Sequence, residues 1–397
     1  MQKEGRLLFA VKAMLLAGIL LLVPAATIYA FHQGGVGYCE GCHDLHKPNG
    51  QPEPTASETA DNTTRYMLKG PDASSTCLLC HAEEGKYYNV LTKDGSQYVP
   101  GGDFYWLEKT FTAMAEGKFY RSEGANHGHN IVAVAYGLFA DSVNGNAPGD
   151  IYPSHAMSCI SCHDPHGKTA GSGTNGKAIS VSGSYGQSAP DGTIAGNYRL
   201  LGGVGYNGGS QSNISFASPA PVAVASSDWT ETDANHTAYG SGMSEWCGNC
   251  HGSLLDQVTK HPSGNNARLS SVMIMNYNSY VKTGNIYGTE ASAYLSLVPF
   301  ELGTSDSSLL DPSSTSGPGG AGNANVMCLT CHRAHASAFE NIGRWDFQST
   351  FIADSHPKTG DGGVTGNDVV NSYYGRDMVA IFGKYQRQLC NKCHMLD

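Results

Sequence analysis

All twelve cysteines of this 397-residue chain fall in a single pattern, Cys-x-x-Cys-His, which occurs six times. The copies are Cys39/Cys42/His43, Cys77/Cys80/His81, Cys159/Cys162/His163, Cys247/Cys250/His251, Cys328/Cys331/His332 and Cys390/Cys393/His394. The spacing has a chemical reason. Two thiols separated by two residues can each add to one of the two vinyl groups of a haem, and the imidazole that follows takes the proximal position on the iron. With 16 His in the chain, a chance His after all six pairs has a probability on the order of 10⁻⁸. Other uses of cysteine fit less well. Three Cys₄ zinc sites leave the fifth residue unexplained. Six disulfides would suit an oxidising compartment but would not place His after every pair. Thioredoxin-like redox pairs need a βαβ context that is missing.

Six haems also resolve a difficulty in the composition. Gly accounts for 50 residues, well above the usual share of about 7%, and only 15% of residues are charged. Such a chain makes few long regular elements, yet it is not a charged disordered tail. The expected fold is mostly irregular and loop-rich, with short helices and little strand, wrapped around a chain of stacked haems that supply the apolar volume. Successive motifs start 38, 82, 88, 81 and 62 residues apart, so there is no tandem repeat. Residues 167–190 and 303–325 read as surface connections. Phe104, Leu107, Phe111 and Met114 stand at helical spacing. Glu290 to Leu302, broken by Pro299, and Asp377 to Lys392, with Val379, Phe382, Tyr385 and Leu389 inward, are further helix expectations. The Gly- and Asp-rich stretch Lys358 to Asp368 has the look of a Ca²⁺ loop without its ligand spacing.

Residues 1–30 read as a secretory signal: basic Lys3, Arg6 and Lys12, an apolar run from Ala13 to Val23, and a cleavage site after Ile28-Tyr29-Ala30. The apolar run is short for a membrane span, and no second one follows. The mature protein would then be one hexahaem domain, 31–397, starting at Phe31. The chain carries a net charge of −10; removal of the signal, whose net charge is +2, leaves −12. An acidic exported chain without a basic patch is a poor nucleic-acid binder.

Ten His remain once the six proximal ones are assigned: His32, His46, His127, His129, His155, His166, His236, His261, His335 and His356. A fully bis-His protein is therefore possible; a Met ligand would raise the potential, but no Met stands out by spacing. His46, His166 and His335 each follow a proximal His by three residues, in the strings CHDLH, CHDPH and CHRAH. Residues three apart share one face of a helical turn. Axial ligands must lie on opposite sides of the porphyrin, so these three would ligate an adjacent haem rather than their own; contact with solvent or a propionate is the alternative. His129 leads into the apolar HNIVA, His261 precedes Pro262, whose neighbour is held extended, and His32 would lie in a free N-terminal tail. The residues alone leave these three open. His127 reads as exposed, and His155, His236 and His356 as solvated or near propionates.

Outside the haem motifs the chain carries FHQGGVGYCEGCH, PGGDFYW, GHNIVA, SCHDPHG, YRLLGGVGY, GMSEWCGNCH, ASAYLSLVPFE, CLTCHRAHASAF, YYGRDM and YQRQLCNKCH. In these strings it resembles the OmcS-type hexahaem cytochromes of metal-reducing bacteria over nearly the whole mature length. The resemblance implies an extracellular filament with a continuous stack of haems in alternating parallel and T-shaped pairs, all bis-His. It implies distal ligands at His32, His46, His129, His166, His261 and His335, with His46 completing a haem of the neighbouring subunit. His127, His155, His236 and His356 are particular to this chain, and CHAEEG after the second motif carries no nearby His.

The leading function is thus electron conduction along a homopolymer, with electrons exchanged with other cytochromes, minerals or electrodes. A monomeric outer-surface or periplasmic shuttle, or terminal metal reductase, uses the same chemistry without polymerisation. A multihaem nitrite or sulfite reductase would need an open sixth position, which spare His can fill six times over, and no CxxCK variant occurs.

Overall fold

The computed structural model describes residues 41–44, 68–83, 88–115, 117–149, 152–165, 198–207, 214–226, 230–255, 261–319 and 324–397. The signal segment, Cys39, His32, His46, His166 and the 167–190 connection lie outside the described residues.

Among the described residues, regular structure is sparse. The helices are α1 (Ala73–His81), α2 (Met243–His251), α3 (Ser271–Ser279), α4 (Glu290–Ala293), α5 (Cys328–Cys331), α6 (Gly366–Ser372), α7 (Met378–Phe382) and α8 (Asn391–His394), with short 3₁₀ turns between them. Two antiparallel two-stranded ribbons complete the set. In the first, β1 (Phe111–Ala115) pairs with β2 (Lys118–Ser122) from Phe111↔Ser122 to Ala115↔Lys118. In the second, β3 (Val222–Val224) pairs with β4 (Ala238–Ser241) across a register shift. The rest is turn and loop, as the glycine content implies.

The haem motifs decide where several helices sit. α1, α2 and α8 each end on the His of a motif, and α5 ends one residue before it. One helical turn sets two Cys three positions apart on the same face. α1 begins where Asp72 caps it: Asp72 accepts from Ser75 N at 2.6 Å and from the Ser75 hydroxyl at 2.6 Å. The same carboxylate accepts from Val134 N at 2.9 Å, which ties the helix start to a distant loop.

The helix expectations of the sequence are largely corrected. Phe104 to Glu108 is a 3₁₀ turn, and Phe111 and Met114 lie in β1. Asp103 opens the turn by accepting from Tyr105 N at 2.9 Å, and the turn ends at the extended Lys109, after which the chain runs into the hairpin. Trp106 and Phe111 are buried while Met114 is exposed, a half-buried ribbon instead of a helix face. Glu290 to Leu302 holds a single helical turn, α4. Asp377 to Lys392 is split into α7 and α8; Leu389 is buried, but Val379 and Tyr385 face solvent. Gly383, at φ +85°, ends α7 in a conformation that L side chains rarely adopt.

The largest apolar cluster contains Leu78, Trp106, Phe111, Ile131, Leu297, Phe339, Trp345 and Leu389, with Cys159, Cys331 and Cys393 at its margin. A second, around Tyr198, Tyr239, Met243 and Leu329, has Cys162, Trp246 and Cys247 at its margin. Both clusters therefore border thiols of the Cys-x-x-Cys-His motifs, so each would be extended by the apolar body of a haem attached there.

Candidate haem sites

The described motifs follow one another in space in the order of the chain. The Cys77 thiol meets that of Cys159 in a side-chain hydrogen bond, and Cys247 meets Cys328 in the same way. Cys42 lies within electrostatic reach of Cys77, Cys162 of Cys250, and Cys331 of Cys390 and Cys393. No disulfide joins any of these residues.

Cys80 shares its motif with Cys77. It closes the second motif one residue before the end of α1 and is half-buried. Tyr136 lies within its electrostatic reach. Its thiol is free, so its place as a haem-attachment residue rests on its spacing from Cys77 and on His81, which follows it. Nδ1 of His81 meets Tyr88 O at 3.4 Å.

One joint is built twice. Ser74, three residues before Cys77, accepts from Cys159 N at 3.1 Å. Ser244, three residues before Cys247, accepts from Cys328 N at 2.9 Å. Each binds the first cysteine of the next motif to the helix of the one before. The signal was visible as Ser-x-x-Cys in motifs two and four, but nothing in the sequence tells such a serine from a solvated one.

Three distal candidates face a proximal His. The rings of His129 and His251 have centroids 6.0 Å apart, those of His163 and His335 6.3 Å, and those of His261 and His394 6.1 Å. A metal–imidazole bond of about 2 Å on each side, plus the distance from nitrogen to ring centre, comes to roughly 6 Å. Each gap therefore fits one metal ion held between two imidazoles.

The outer nitrogens are already occupied. Nδ1 meets a backbone carbonyl in His163 (Arg199 O, 2.8 Å), His251 (Pro148 O, 2.9 Å) and His332 (Asn341 O, 2.7 Å). It does so too in His129 (Ala334 O, 2.6 Å), His335 (Gly102 O, 3.2 Å) and His261 (Pro262 O, 3.0 Å). A carbonyl can only accept, so Nδ1 carries the proton and Nε2 keeps its lone pair for a metal. Burial holds His129 down to about 4 and His335 to about 3, and lowers His163 and His332 as well. All four are therefore neutral, as a ligand must be.

The strings PGGDFYW, GHNIVA and CLTCHRAHASAF converge here. His335 N and Ala334 N both donate to Gly101 O, at 2.6 and 3.0 Å. His129 N donates to His335 O, and Ser337 N to His127 O, at 2.9 Å each. The two distal candidates thus share one scaffold, and a shift in either moves the other.

The remaining His differ, and three expectations are corrected. His127 is fully buried rather than exposed. Its Nε2 meets the Ser122 hydroxyl at 2.7 Å and its Nδ1 meets Trp106 O at 3.1 Å, so neither nitrogen is left for a metal. His236 is buried rather than solvated, with Nδ1 against Thr237 O and Nε2 against Tyr294 Oη at 2.6 Å and Ser314 O at 2.9 Å. His356 is largely buried and pairs with Asp361 at 2.7 Å. For His127 and His236 the partners that make burial possible come largely from distant parts of the chain, Trp106 for the first and Tyr294 and Ser314 for the second. His155 is exposed. In the segment Lys358 to Asp368 the carboxylates serve the fold: Asp361 also accepts from Lys358 N, and Asp368 completes the capping box of α6 with Thr365 while pairing with Lys109 at 3.1 Å.

Among the described residues, motif cysteines that follow one another in space, in pairs each followed by His in the sequence, with imidazoles facing across single-metal gaps, define a multihaem c-type cytochrome. The comparisons specify which. No family model matches the sequence. The chain is 41% identical to the C-type cytochrome OmcS of Geobacter sulfurreducens, over 96% of this chain and 97% of that protein. It also matches a solved Outer Membrane Cytochrome S filament from the same organism, at 39% identity and a TM-score of 0.75, covering 92% of this chain and all of that one. A cryo-EM structure of OmcS nanowires matches with a TM-score of 0.74. The chain belongs to the OmcS family of c-type cytochromes, whose members carry covalently bound haem.

Proposed function

We propose that this chain carries six bis-His haems and conducts electrons outside the cell as a homopolymer. Bound haem supplies a one-electron iron couple. The polypeptide supplies the rest: attachment, spacing and closure of each metal position. The observation that carries the reading is the order of the motifs, each meeting the next, so that charge entering at one end has a neighbour to move to at every step. Two imidazoles per iron leave no position for substrate and favour a low potential.

His163 and His335, His251 and His129, and His394 and His261 are the ligand pairs that the ring distances support. His43, His81 and His332 then draw on His32, His46 and His166, all outside the described residues. By likeness to the OmcS family, His46 reaches the next subunit. On this reading residues 1–30 direct export and 31–397 form one haem-wrapped unit. Among the described residues no helix is long and apolar enough to cross a membrane. Likeness to two filament structures over nearly the whole chain favours the polymer over a monomeric shuttle.

The test is negative-stain electron microscopy of protein sheared from expressing cells, with a pyridine haemochrome count. Thin regular filaments with six haems per chain are expected; discrete particles with six haems would leave a shuttle. His46→Ala should give short oligomers and one altered haem. Normal filaments from that variant would overturn the inter-subunit bond.

A further inference from the structure

Between the fourth and fifth motifs lies a carboxylate that the haem-site reading does not use. Glu301 is 1% exposed. Its backbone is clamped on both sides: it exchanges bonds with Asn325 at 3.1 and 2.9 Å, and Leu302 N donates to Tyr239 O at 2.9 Å. The side chain is thereby fixed against the start of α2, where Oε1 accepts from Met243 N at 2.7 Å. Oε2 is buried and has no hydrogen-bond partner.

A second carboxylate shares the space. Glu245, also in α2, accepts from Asn265 N at 2.7 Å through Oε1, and its Oε2 is likewise buried without a partner. The ionisable neighbours of Glu301 are Glu245 from α2, Cys328 from α5, and Tyr239 beside it on β4. Arg268 stands on the far side of Asn325 and is exposed. Among the described residues, therefore, no cation neutralises Glu301 from the elements packed against it.

An ionised carboxylate can only accept hydrogen bonds, so both orphan oxygens are costly while both groups are charged. A proton on Glu301 turns one acceptor into a donor and removes one of two like charges. Burial, aided by the Glu245 charge, pushes Glu301 up to about 7. As a thioether Cys328 carries no charge, so burial and Glu245 are the causes that persist. The location matters as much as the chemistry. Met243 opens the helix that carries Cys247, and Cys247 meets Cys328.

We propose that Glu301 is a proton-binding site coupled to electron occupancy at the junction of motifs four and five. The inference rests on the six-haem reading. An electron supplied from the neighbouring motif adds negative charge at the junction, and a proton from solvent binds the Glu301 carboxylate; when the electron moves on, the proton returns to solvent. One electron and one proton enter and leave together, so the step balances without a further reactant. By reciprocity the electron affinity of the junction falls as pH rises through the range in which Glu301 ionises.

The experiment is redox titration of the purified six-haem protein from pH 5 to 9, with proton uptake followed by an indicator dye and carboxyl groups by infrared difference spectroscopy. Wild type should show a protonated-carboxyl band appearing on reduction and potentials that fall with pH around neutrality. Glu301→Gln keeps the acceptor for Met243 N. It should lose the band, take up about one proton fewer per chain on reduction, and flatten the pH dependence. Unchanged proton uptake in a six-haem Glu301→Gln protein would overturn the proposal and assign the coupling to haem carboxylates. A count below six in wild type would instead strike the haem reading itself. If Glu301→Gln fails to load haem, Glu245→Gln decides: removing that like charge should move the pH-dependent window to lower pH, and an unmoved window overturns the proposal.

Discussion

His163 and His335 face each other with ring centroids 6.3 Å apart, although they belong to different attachment motifs: His163 closes the third, and His335 stands three residues beyond the His of the fifth. On the proposed reading the fifth motif would therefore supply a ligand to a haem that it does not attach. His335→Ala should open one sixth position and leave the others alone. Carbon monoxide should then bind about one-sixth of the reduced haem, against almost none in wild type, and His335→Met should raise one potential. His127→Gln is the matched control. That side chain is buried with both nitrogens engaged, so its loss should cost on the order of 1–3 kcal/mol of stability with no change at any iron. Carbon monoxide binding to His127→Gln and not to His335→Ala would reverse the ligand assignment.

The position of His335 depends on a glycine. Gly102 lies at φ +97°, and a Cβ there would stand 1.9 Å from Ala336 O. The Gly102 carbonyl is also the Nδ1 partner of His335. Gly102→Ala should therefore cost more than the 1–3 kcal/mol or so expected of backbone strain alone, and should displace His335. The expected readout is an altered low-spin electron paramagnetic resonance signal from one haem, accompanied by a lower melting temperature. Gly366→Ala, at the start of α6 with nothing within 4 Å, should change neither.

The proposed attachment motifs stand out in the sequence because a covalent haem would impose a strictly local spacing. Distal ligation as proposed would be a long-range contact, and the sequence exposes such a contact only where a second constraint shows. His335 shares its spacing with His46 and His166, but His129 meets His251 through a scaffold built from residues 100–102 and 334–337. Only the likeness to a family pointed to His129 and His261. The helix readings failed for a related reason. Phe104, Leu107 and Phe111 suit a helical period, but the 3₁₀ turn that Asp103 opens ends at Lys109, and the buried face continues into a strand. His127 and His236 are buried, against expectation, because Ser122 and Tyr294 meet their ring nitrogens, contacts that nothing local in the sequence announces.

Acid stability should be set in part by Glu231. Burial by itself would raise this carboxyl, but Arg333 at 3.1 Å and Arg344 at 3.3 Å outweigh it and hold it at about 2. A depressed carboxyl contributes its stability above the unfolded value, near 4.5, and loses it as pH falls toward 2. The linked amount is about 3 kcal/mol. Glu301 has the opposite sign: raised to about 7, it makes the fold less stable as pH climbs from about 4.5 through 7. Chemical denaturation from pH 2 to 8 should show a steep acid limb in wild type. Glu231→Gln should flatten that limb and lower stability at neutral pH by roughly 3–5 kcal/mol, because two buried guanidinium groups lose their anion. An acid limb that survives in Glu231→Gln would place the acid-sensitive group elsewhere.

Lys392, between the two cysteines of the last motif, is 1% exposed. Its ammonium donates to Tyr277 O and Tyr280 O at 2.8 Å each and to Ala293 O, and it lies 4.3 Å from the centre of the Tyr277 ring. An ammonium has three N–H donors, and here each finds a carbonyl. Two of those carbonyls close α3 and the third ends α4, so one side chain fastens both helices to the sixth attachment site. Lys392→Met keeps the length and removes the donors, leaving three buried carbonyls unpaired. At about 1–3 kcal/mol for each unsatisfied group, the loss should be at least on the order of 3 kcal/mol. Lys392→Arg should not restore it, since a planar fork cannot address three converging carbonyls in a site shaped for a point charge. Differential scanning calorimetry with a haem count per chain checks this. Both variants should melt earlier, with incomplete loading confined to the last motif. A Lys392→Met protein that melts with wild type and carries six haems would show that α3, α4 and the sixth site are held together by packing alone.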